Sequence, residues 1–336
     1  MPLIEGKPPS LPEWRKLYES AMEFKKLGPW EWMHDSDIFG VKNPANGEIG
    51  YCCIMGNLGE HYALSVYLGT EGLEGYFSLL NNEGLEDPKT MILSQKFLMI
   101  SFEDRKYLAK NDLDIIKNLG LKFRGRNSWP LFRSYIPGYQ PWFLTADEAE
   151  FLNIAIEQAM DVAKRFEKDE DLLESVDNET YLVRVAESSV WKDKWLSPEA
   201  YSKPKILPEP DEKPLEKLKN LKPGKMILEV DYFYVEQGVR ENNERPYYPN
   251  MLLWADHKTG LLLNFSLEKS DQILTGFVDN FIKVCEILKF MPVFILFRRN
   301  DLLELFKPWA GSRGIRVELV NNLEAIDESR NFMGGF

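Results

Sequence analysis

Between residues 226 and 332 the hydrophobic period changes in a fixed order, and that order limits the fold more than any other feature of the chain. Three strand-like runs come first: Met226–Gln237, Tyr247–Trp254 and Leu261–Leu267. Turn residues at Glu241–Arg245 and at Lys258-Thr259-Gly260 separate them, as an antiparallel meander requires. Ser270 then stands where a cap would, ahead of a helical stripe formed by Ile273, Leu274, Phe277, Val278, Phe281, Ile282, Cys285 and Leu288. Met291–Phe297 is a continuous apolar run, the pattern of a strand covered on both faces. A helix over Asp301–Ala310, a strand over Ile315–Val320 and a helix over Leu323–Met333 complete the series. A strand–helix–strand–helix segment needs right-handed crossovers and parallel pairing, so a mixed sheet is expected.

This βββαβαβα order is the layout of the ribonuclease H-like fold, which carries nucleases, transposases and proteins without catalysis. The expected class is therefore α/β (α+β). At 336 residues the chain exceeds the usual size of one core, and two domains are expected. Six prolines between residues 196 and 224 deny that stretch both helix and ladder donors. The expected division is an N-terminal α+β domain over 1–195, a Pro-rich linker over 196–224 and a ribonuclease H-like domain over 225–336.

In the first domain Ser10-Leu-Pro-Glu13 has capping-box spacing and opens a helix with Trp14, Leu17, Tyr18, Ala21 and Met22 on its apolar face. Strands are expected at Asp37–Val41, Glu48–Met55, Tyr62–Leu68 and Lys96–Phe102, with helices at Glu71–Leu80 and Asp112–Leu119. Residues 120–144, rich in Gly, Pro and aromatic rings, read as an ordered loop pinned by ring burial. Thr145-Ala-Asp-Glu148 starts another capped helix, whose apolar face runs from Phe151 to Phe166, and Thr180–Ala186 reads as a closing strand. The βββαβα order of this half echoes the second half, which would suit an old duplication, although no shared residues accompany it.

Charge argues against a nucleic-acid partner. The chain carries −12 overall, with 27 basic against 37 acidic residues in the first 220 positions and 14 against 16 thereafter. Neither half offers the basic footprint that phosphate backbones attract. Cys52, Cys53 and Cys285 lack metal-ligand spacing and suit buried thiols in a reducing compartment. The start, Met1 to Trp14, has no apolar signal core, and no apolar run approaches a membrane span, so a cytoplasmic protein is expected.

Certain stretches resemble an uncharacterised, mostly bacterial two-domain family of unknown function. They are Ile38–Leu68 and Pro137–Glu148 in the first half, and Ile227–Phe233 and Gly314–Asp327 in the second. Some of its members carry a following cysteine-rich SEC-C module. The chain ends at Gly334-Gly335-Phe336 without those cysteines, so the resemblance implies no zinc site here, and it implies no activity.

A ribonuclease H-like active site gathers two to four carboxylates around a pair of Mg²⁺ or Mn²⁺ ions. Asp231 lies mid-strand in the first strand, Asp301 follows the fourth strand, and Asp327 with Glu328 lies on the last helix. Each has a plainer assignment. Asp301-Leu-Leu-Glu304 and Asn321-Asn-Leu-Glu324 have capping-box spacing, and Asp231 shares with Glu229 and Phe233 what reads as a half-exposed strand face. Asp279 and Glu286 fall off the apolar stripe of their helix.

The remaining candidates are weaker. His34, His61 and His257 have no ligand spacing and read as isolated structural residues, and Ser188 and Ser189 lack a nucleophile elbow. Gly56-Asn-Leu-Gly59 and Gly69-Thr-Glu-Gly72-Leu-Glu-Gly75 lack a phosphate-loop lysine and read as turns. Arg124, Arg126 and Arg133 interleave with Trp129 and Phe132 in the one basic-aromatic cluster, a contact surface for bases or carboxylates or else ordinary cation–π packing. The sequence thus reads as a non-catalytic binding or adaptor protein without a cofactor; its partner is not identified by the sequence, a protein being one candidate. A divalent-metal-dependent nuclease or transposase relic on Asp231, Asp301, Asp327 and Glu328 is the alternative.

Overall fold

The computed structural model describes residues 6–81, 92–175, 177, 179–188, 190–200, 215–241, 244–270 and 272–333. The centre of the Pro-rich stretch (201–214), Ser189, Asn242 and Asn243 of the expected turn, and the chain end at 334–336 lie outside the described residues. The protein is α+β, with two sheets that each mix parallel and antiparallel pairing. The chain packs as two compact units, Met1–Lys203 with Arg240–Arg245 and Pro204–Val239 with Pro246–Phe336. The turn expected inside the meander at Glu241–Arg245 thus groups with the first unit.

The first unit opens with helix α1 (Leu11–Leu27), where the Ser10 N–H donates to the Glu13 carboxylate at 2.5 Å, as the Ser-Leu-Pro-Glu spacing anticipates. Strands β1 (Phe39–Lys42), β2 (Ile49–Met55) and β3 (Ala63–Leu68) lead to α2 (Gly69–Asn81) and β4 (Phe97–Glu103). Helix α3 (Lys110–Asn118), β5 (Trp129–Tyr135), α4 (Ala146–Phe166), β6 (Tyr181–Glu187) and β7 (Val190–Leu196) follow. The seven strands lie in the order β5-β4-β3-β2-β1-β6-β7, antiparallel except where β1 meets β6.

Alternation along the strands sends Cys52, Ile54, Leu64, Val66, Leu98, Ile100 and Phe102 into a core shared with α1 and α4. Tyr51, Cys53, Tyr67, Phe97 and Met99 take the opposite face with Leu73 and Tyr76 of α2. Adjacent Cys52 and Cys53 therefore belong to different layers, and burial pushes the Cys53 thiol up to about 12. Thr145 and Glu148 make the reciprocal cap of α4, at 2.8 and 3.2 Å.

Two strands lie where the sequence suggested otherwise. Part of the stretch expected to be a loop at 120–144 is strand β5, in which Pro130, Phe132 and Ser134 alternate inward. Pro130 is tolerated because β5 is an edge, where its missing N–H breaks no shared ladder. Strand β7, beginning five residues before the expected boundary, alternates Trp191 and Trp195 with Lys192 and Lys194 and forms the other edge. Gly69–Gly75 is the start of α2 rather than a turn. A Cβ at Gly72 would lie 2.6 Å from the Lys96 carbonyl oxygen and 2.8 Å from the Tyr67 carbonyl carbon, so α2 rests directly on the sheet's backbone.

In the second unit β8 (Ile227–Tyr234), β9 (Asn250–Asp256), β10 (Leu262–Glu268), α5 (Ile273–Leu288), β11 (Phe294–Phe297), α6 (Asn300–Ser312), β12 (Arg316–Leu319) and α7 (Glu324–Met333) keep the expected order. The sheet runs β10-β9-β8-β11-β12; β8, β9 and β10 are antiparallel, and β8, β11 and β12 are parallel. Helices α5 and α6 bury one face through Phe277, Phe281, Phe306 and Trp309, and α7 buries the other through Ala325 and Ile326. Leu215 and Leu218, within the stretch expected to be linker, belong to the α5–α6 core. Strand β11 is shorter than its apolar run because Pro292 has no N–H for the ladder.

The expected caps are displaced. Ser270 bonds Asn250 and Tyr234 while α5 begins at Ile273 without a side-chain cap. Helix α6 starts at Asn300, so Asp301 lies inside its first turn, and α7 begins at Glu324 with Asp327 reaching back to the Leu323 N–H at 3.3 Å. We expect Gly72→Ala to lower stability by about 1–3 kcal/mol, because the new methyl meets backbone that cannot rotate aside; urea denaturation measures it.

Candidate functional site

The candidate site grows from β8, the central strand of the second sheet. Its odd-numbered positions face α7, and burial there is nearly complete: Glu229 is 0% exposed and Asp231 3%. The half-exposed face expected for Glu229, Asp231 and Phe233 is therefore a covered one. Two carboxylates in such a layer need partners, since removing an ion from water costs several kcal/mol.

Glu229 finds two. Its Oε1 stands 2.5 Å from His257 Nδ1, and its Oε2 accepts the Ile326 N–H at 3.1 Å, at the positive end of α7. His257, expected to be isolated, is thus the outer partner of a buried acid.

Asp231 is met by arginines. Register pairs Phe297 of β11 with Val230 of β8, so the next residue, Arg298, emerges beside Asp231. Arg298 Nε lies 3.1 Å from Asp231 Oδ2, and Arg299 Nε 3.4 Å from Oδ1. These are close charge pairs rather than well-aligned hydrogen bonds, because Asp231 Oδ1 and Arg298 Nε both lack a partner of hydrogen-bond geometry. Arg298 Nη2 continues to Asp327 Oδ1 at 2.6 Å, so one guanidinium bridges the strand acid and the helix acid. Burial raises the Asp231 carboxyl above its ordinary range, with Arg299 and Arg298 opposing the rise.

Asp301 is drawn elsewhere. Tyr232 Oη donates to its Oδ2 at 2.6 Å and the Leu302 N–H to its Oδ1 at 2.8 Å. Tyr232 alternates to the other face of β8 from Asp231, and Arg299 stacks on its ring at 4.1 Å while bonding its carbonyl at 3.0 Å. Burial, followed by Asp301, pushes the Tyr232 phenol far up, so it stays a donor. Glu328, Asp279 and Glu286 are all exposed on their helices. Of the four expected acids, then, Asp231 and Asp327 share one arginine, Asp301 joins them only through Tyr232 and Arg299, and Glu328 stays outside. Among the described residues no three His, Cys, Asp or Glu side chains converge as metal ligands. The charge that faces Asp231 and Asp327 is a guanidinium, which does not fit a Mg²⁺ or Mn²⁺ site.

The basic-aromatic cluster of the first unit also disperses. Arg133 makes a two-pronged pair with Asp112 of α3, at 3.0 and 2.7 Å, and stacks on Phe143 at 4.8 Å. The cation over Trp129 is Arg105, at 5.9 Å, and Arg124 and Arg126 are exposed. Arg298 and Arg299 were the functional residues sequence reasoning missed. Their signal was position: two cations directly after a strand buried on both faces, beside an acid in the neighbouring strand.

The geometry defines a two-unit α+β protein with an arginine-filled acidic layer. Residues 14–184 match the domain of unknown function DUF7309, and residues 214–334 match the domain of unknown function DUF6930. The chain belongs to this two-domain family. Comparison with curated proteins finds no match. Among solved structures, the magnesium-bound HTLV-2 integrase catalytic core domain in its trimeric form is similar at 14% identity and a TM-score of 0.24, over 34% of this chain and 70% of that one. Its dimeric form is similar at 16% identity and a TM-score of 0.21, over 30% and 62%. No helix of the described residues is long and apolar enough to cross a membrane.

Arg298→Met should cost up to about 3 kcal/mol of stability near pH 8, because it leaves Asp231 in the covered layer with Arg299 alone. A carboxyl whose folded value is raised loses stability as pH climbs from the unfolded value through the folded one. The penalty should therefore shrink as the pH is lowered and the acid takes up a proton; urea titrations at pH 8 and at a lower pH read the difference.

Proposed function

We propose that this is a non-catalytic binding or adaptor protein whose second unit is a ribonuclease H-like core with its acidic layer closed by arginine. The strand order β10-β9-β8-β11-β12, with an antiparallel meander followed by parallel strands, supports the fold assignment. One observation carries the functional reading: Arg298 contacts both Asp231 and Asp327, the acids that a two-metal nuclease would leave open to cations. A guanidinium between them supplies the compensating charge permanently, where a metal ion would come and go with substrate.

The net charge of −12 supports a protein partner over a nucleic acid, since a polyanion approaching this chain meets net repulsion at long range. Within this reading the ribonuclease H-like core is a scaffold, and its layers present surfaces rather than reacting groups.

Mn²⁺ titration followed by calorimetry and thermal unfolding tests the reading. A site filled to a hundred times its Kd would add ~2.7 kcal/mol of stability. The expected result is neither heat nor a change in Tm at millimolar Mn²⁺. Saturable heat with a raised Tm, reduced by Asp231→Asn, would restore the metal-nuclease alternative.

A further inference from the structure

The outer strand of the second sheet lacks what protects the other edges. Strand β10 ends the order β10-β9-β8-β11-β12, so among the described residues its outer N–H and C=O groups have no strand to pair with. Open edges invite other chains, and proteins blunt them with charge or proline. In the first sheet the edge strand β5 carries Pro130 and the edge strand β7 carries Lys192 and Lys194. At the far side of the second sheet β12 carries Arg316 and Glu318. The run from Leu261 to Leu267, Leu-Leu-Leu-Asn-Phe-Ser-Leu, has neither device. Leu261 is 61% exposed, Leu262 43%, Phe265 62% and Leu267 52%. Together they offer on the order of 400 Å² of apolar surface, a patch size that is often functional on a soluble protein.

The two faces of β10 differ. Register sets Phe265 opposite Leu253 and Leu267 opposite Met251, so both point to the α7 side of the sheet. Helix α7 packs on β8 and β9 and leaves these two side chains more than half exposed. Asn264, Ser266 and Glu268 point the other way, toward α5. Asn264 Nδ2 donates to Asn280 Oδ1 at 2.7 Å, Asn280 Nδ2 donates to Ser266 Oγ at 3.0 Å, and Glu268 lies along Gly276. The flank of α5 above the open edge therefore runs at helical spacing from Gly276 and Asn280 to Lys283 and Ile287, the last 56% exposed.

We propose that β10 pairs antiparallel with β10 of a second copy of this chain, about a two-fold axis at Ser266, so that two five-stranded sheets become one. A two-fold interface must be complementary to itself. An axis at Ser266 sets Phe265 of each copy against Leu267 of the other, and the four apolar side chains meet on one face. On the α5 face it sets Ser266 against Ser266, and Asn264 against Glu268 of the second copy. The second amide hydrogen of Asn264 then donates to that carboxylate, and no like charges oppose each other in the ladder. An axis one residue earlier fails, because it opposes Leu267 to Leu263, which the bulge between Leu262 and Asn264 turns toward the α5–α6 core. The Ser266 axis also runs the two α5 helices antiparallel at the level of Asn280, where the exposed Asp279 of one copy stands beside the exposed Lys283 of the other. Both patches together bury on the order of 800 Å² before ladder and helices are counted, which suits a weak, reversible dimer. This inference concerns assembly and stands independently of the arginine-closed acidic layer.

Sedimentation equilibrium of the full chain across the micromolar range should show reversible conversion of a 39.1 kDa monomer to a dimer. Phe265→Lys, at an exposed position, should weaken the dimer about 10-fold or more and leave thermal unfolding of the monomer unchanged. Ser266→Cys reads the register. Directly opposed residues have Cα atoms about 4.5–5.5 Å apart, within disulfide reach, so mild oxidation should crosslink two copies through that position. The native Cys52, Cys53 and Cys285 are buried and do not compete. Glu268→Cys should not crosslink, because the axis holds its two copies about 14 Å apart. A chain that stays monomeric overturns the inference and leaves the edge to an extended segment of a different protein. A dimer that withstands Phe265→Lys, a Ser266→Cys chain that fails to crosslink, or a Glu268→Cys chain that crosslinks as readily, overturns it as well.

Discussion

The second unit is organised around acids that its own architecture takes out of water. Strand β8 is the middle strand of five, covered by α5 and α6 on one side and by α7 on the other, and yet it carries Glu229 and Asp231. Everything near them follows from the need to compensate charge in a dry layer. The N-terminus of α7 is pinned by Glu229, the body of α7 is tied through Asp327 to Arg298, and Arg298 emerges from β11 at the level of Asp231. Helix α7 is short and has few apolar residues to bury, so these polar ties do much of its anchoring. The same contacts that hold the helix also leave no open carboxylate pair behind it.

The first unit solves a different problem. A seven-stranded sheet has a great deal of face to cover, and α1 and α4 cover one side with a continuous apolar core. On the other side α2 packs on Tyr51, Cys53 and Tyr67, and it can sit close only because Gly72 has no side chain to hold it away.

Much of this was legible from hydrophobic period alone. The order of elements from Met226 onward, the strands from Phe39 to Leu68 and the capped helix after Thr145 follow from local pattern, because burial on one or two faces writes a period into the chain. The edges did not. In β5 the proline and the rings mimic a loop, and in β7 the alternating lysines and tryptophans mimic a surface stretch, since an edge strand is buried too little to write a clean period. Partners of charged residues were least legible. That Asp301 meets Tyr232, that His257 meets Glu229, and that Arg298 lies between two acids are consequences of strand register and helix placement, which join residues 28 to 69 positions apart. Capping-box spacing at Asp301 and Asn321 was a local signal that tertiary pairing overrode.

The single parallel seam of the first sheet has a consequence for how the chain is made. Strand β1 is bounded by β2 on one side, but its other side is filled only by β6, Gly40 pairing with Val183 and Val41 with Arg184. A ribosome has therefore released well over a hundred residues beyond β1 before that flank can close. Until then β1 is an open edge in a hydrophobic sheet, the state most prone to pairing with another chain. Closing such a distant contact also carries a large loop entropy and slows folding. The first unit is thus completed by its last strands, and its vulnerable interval during synthesis is set by topology.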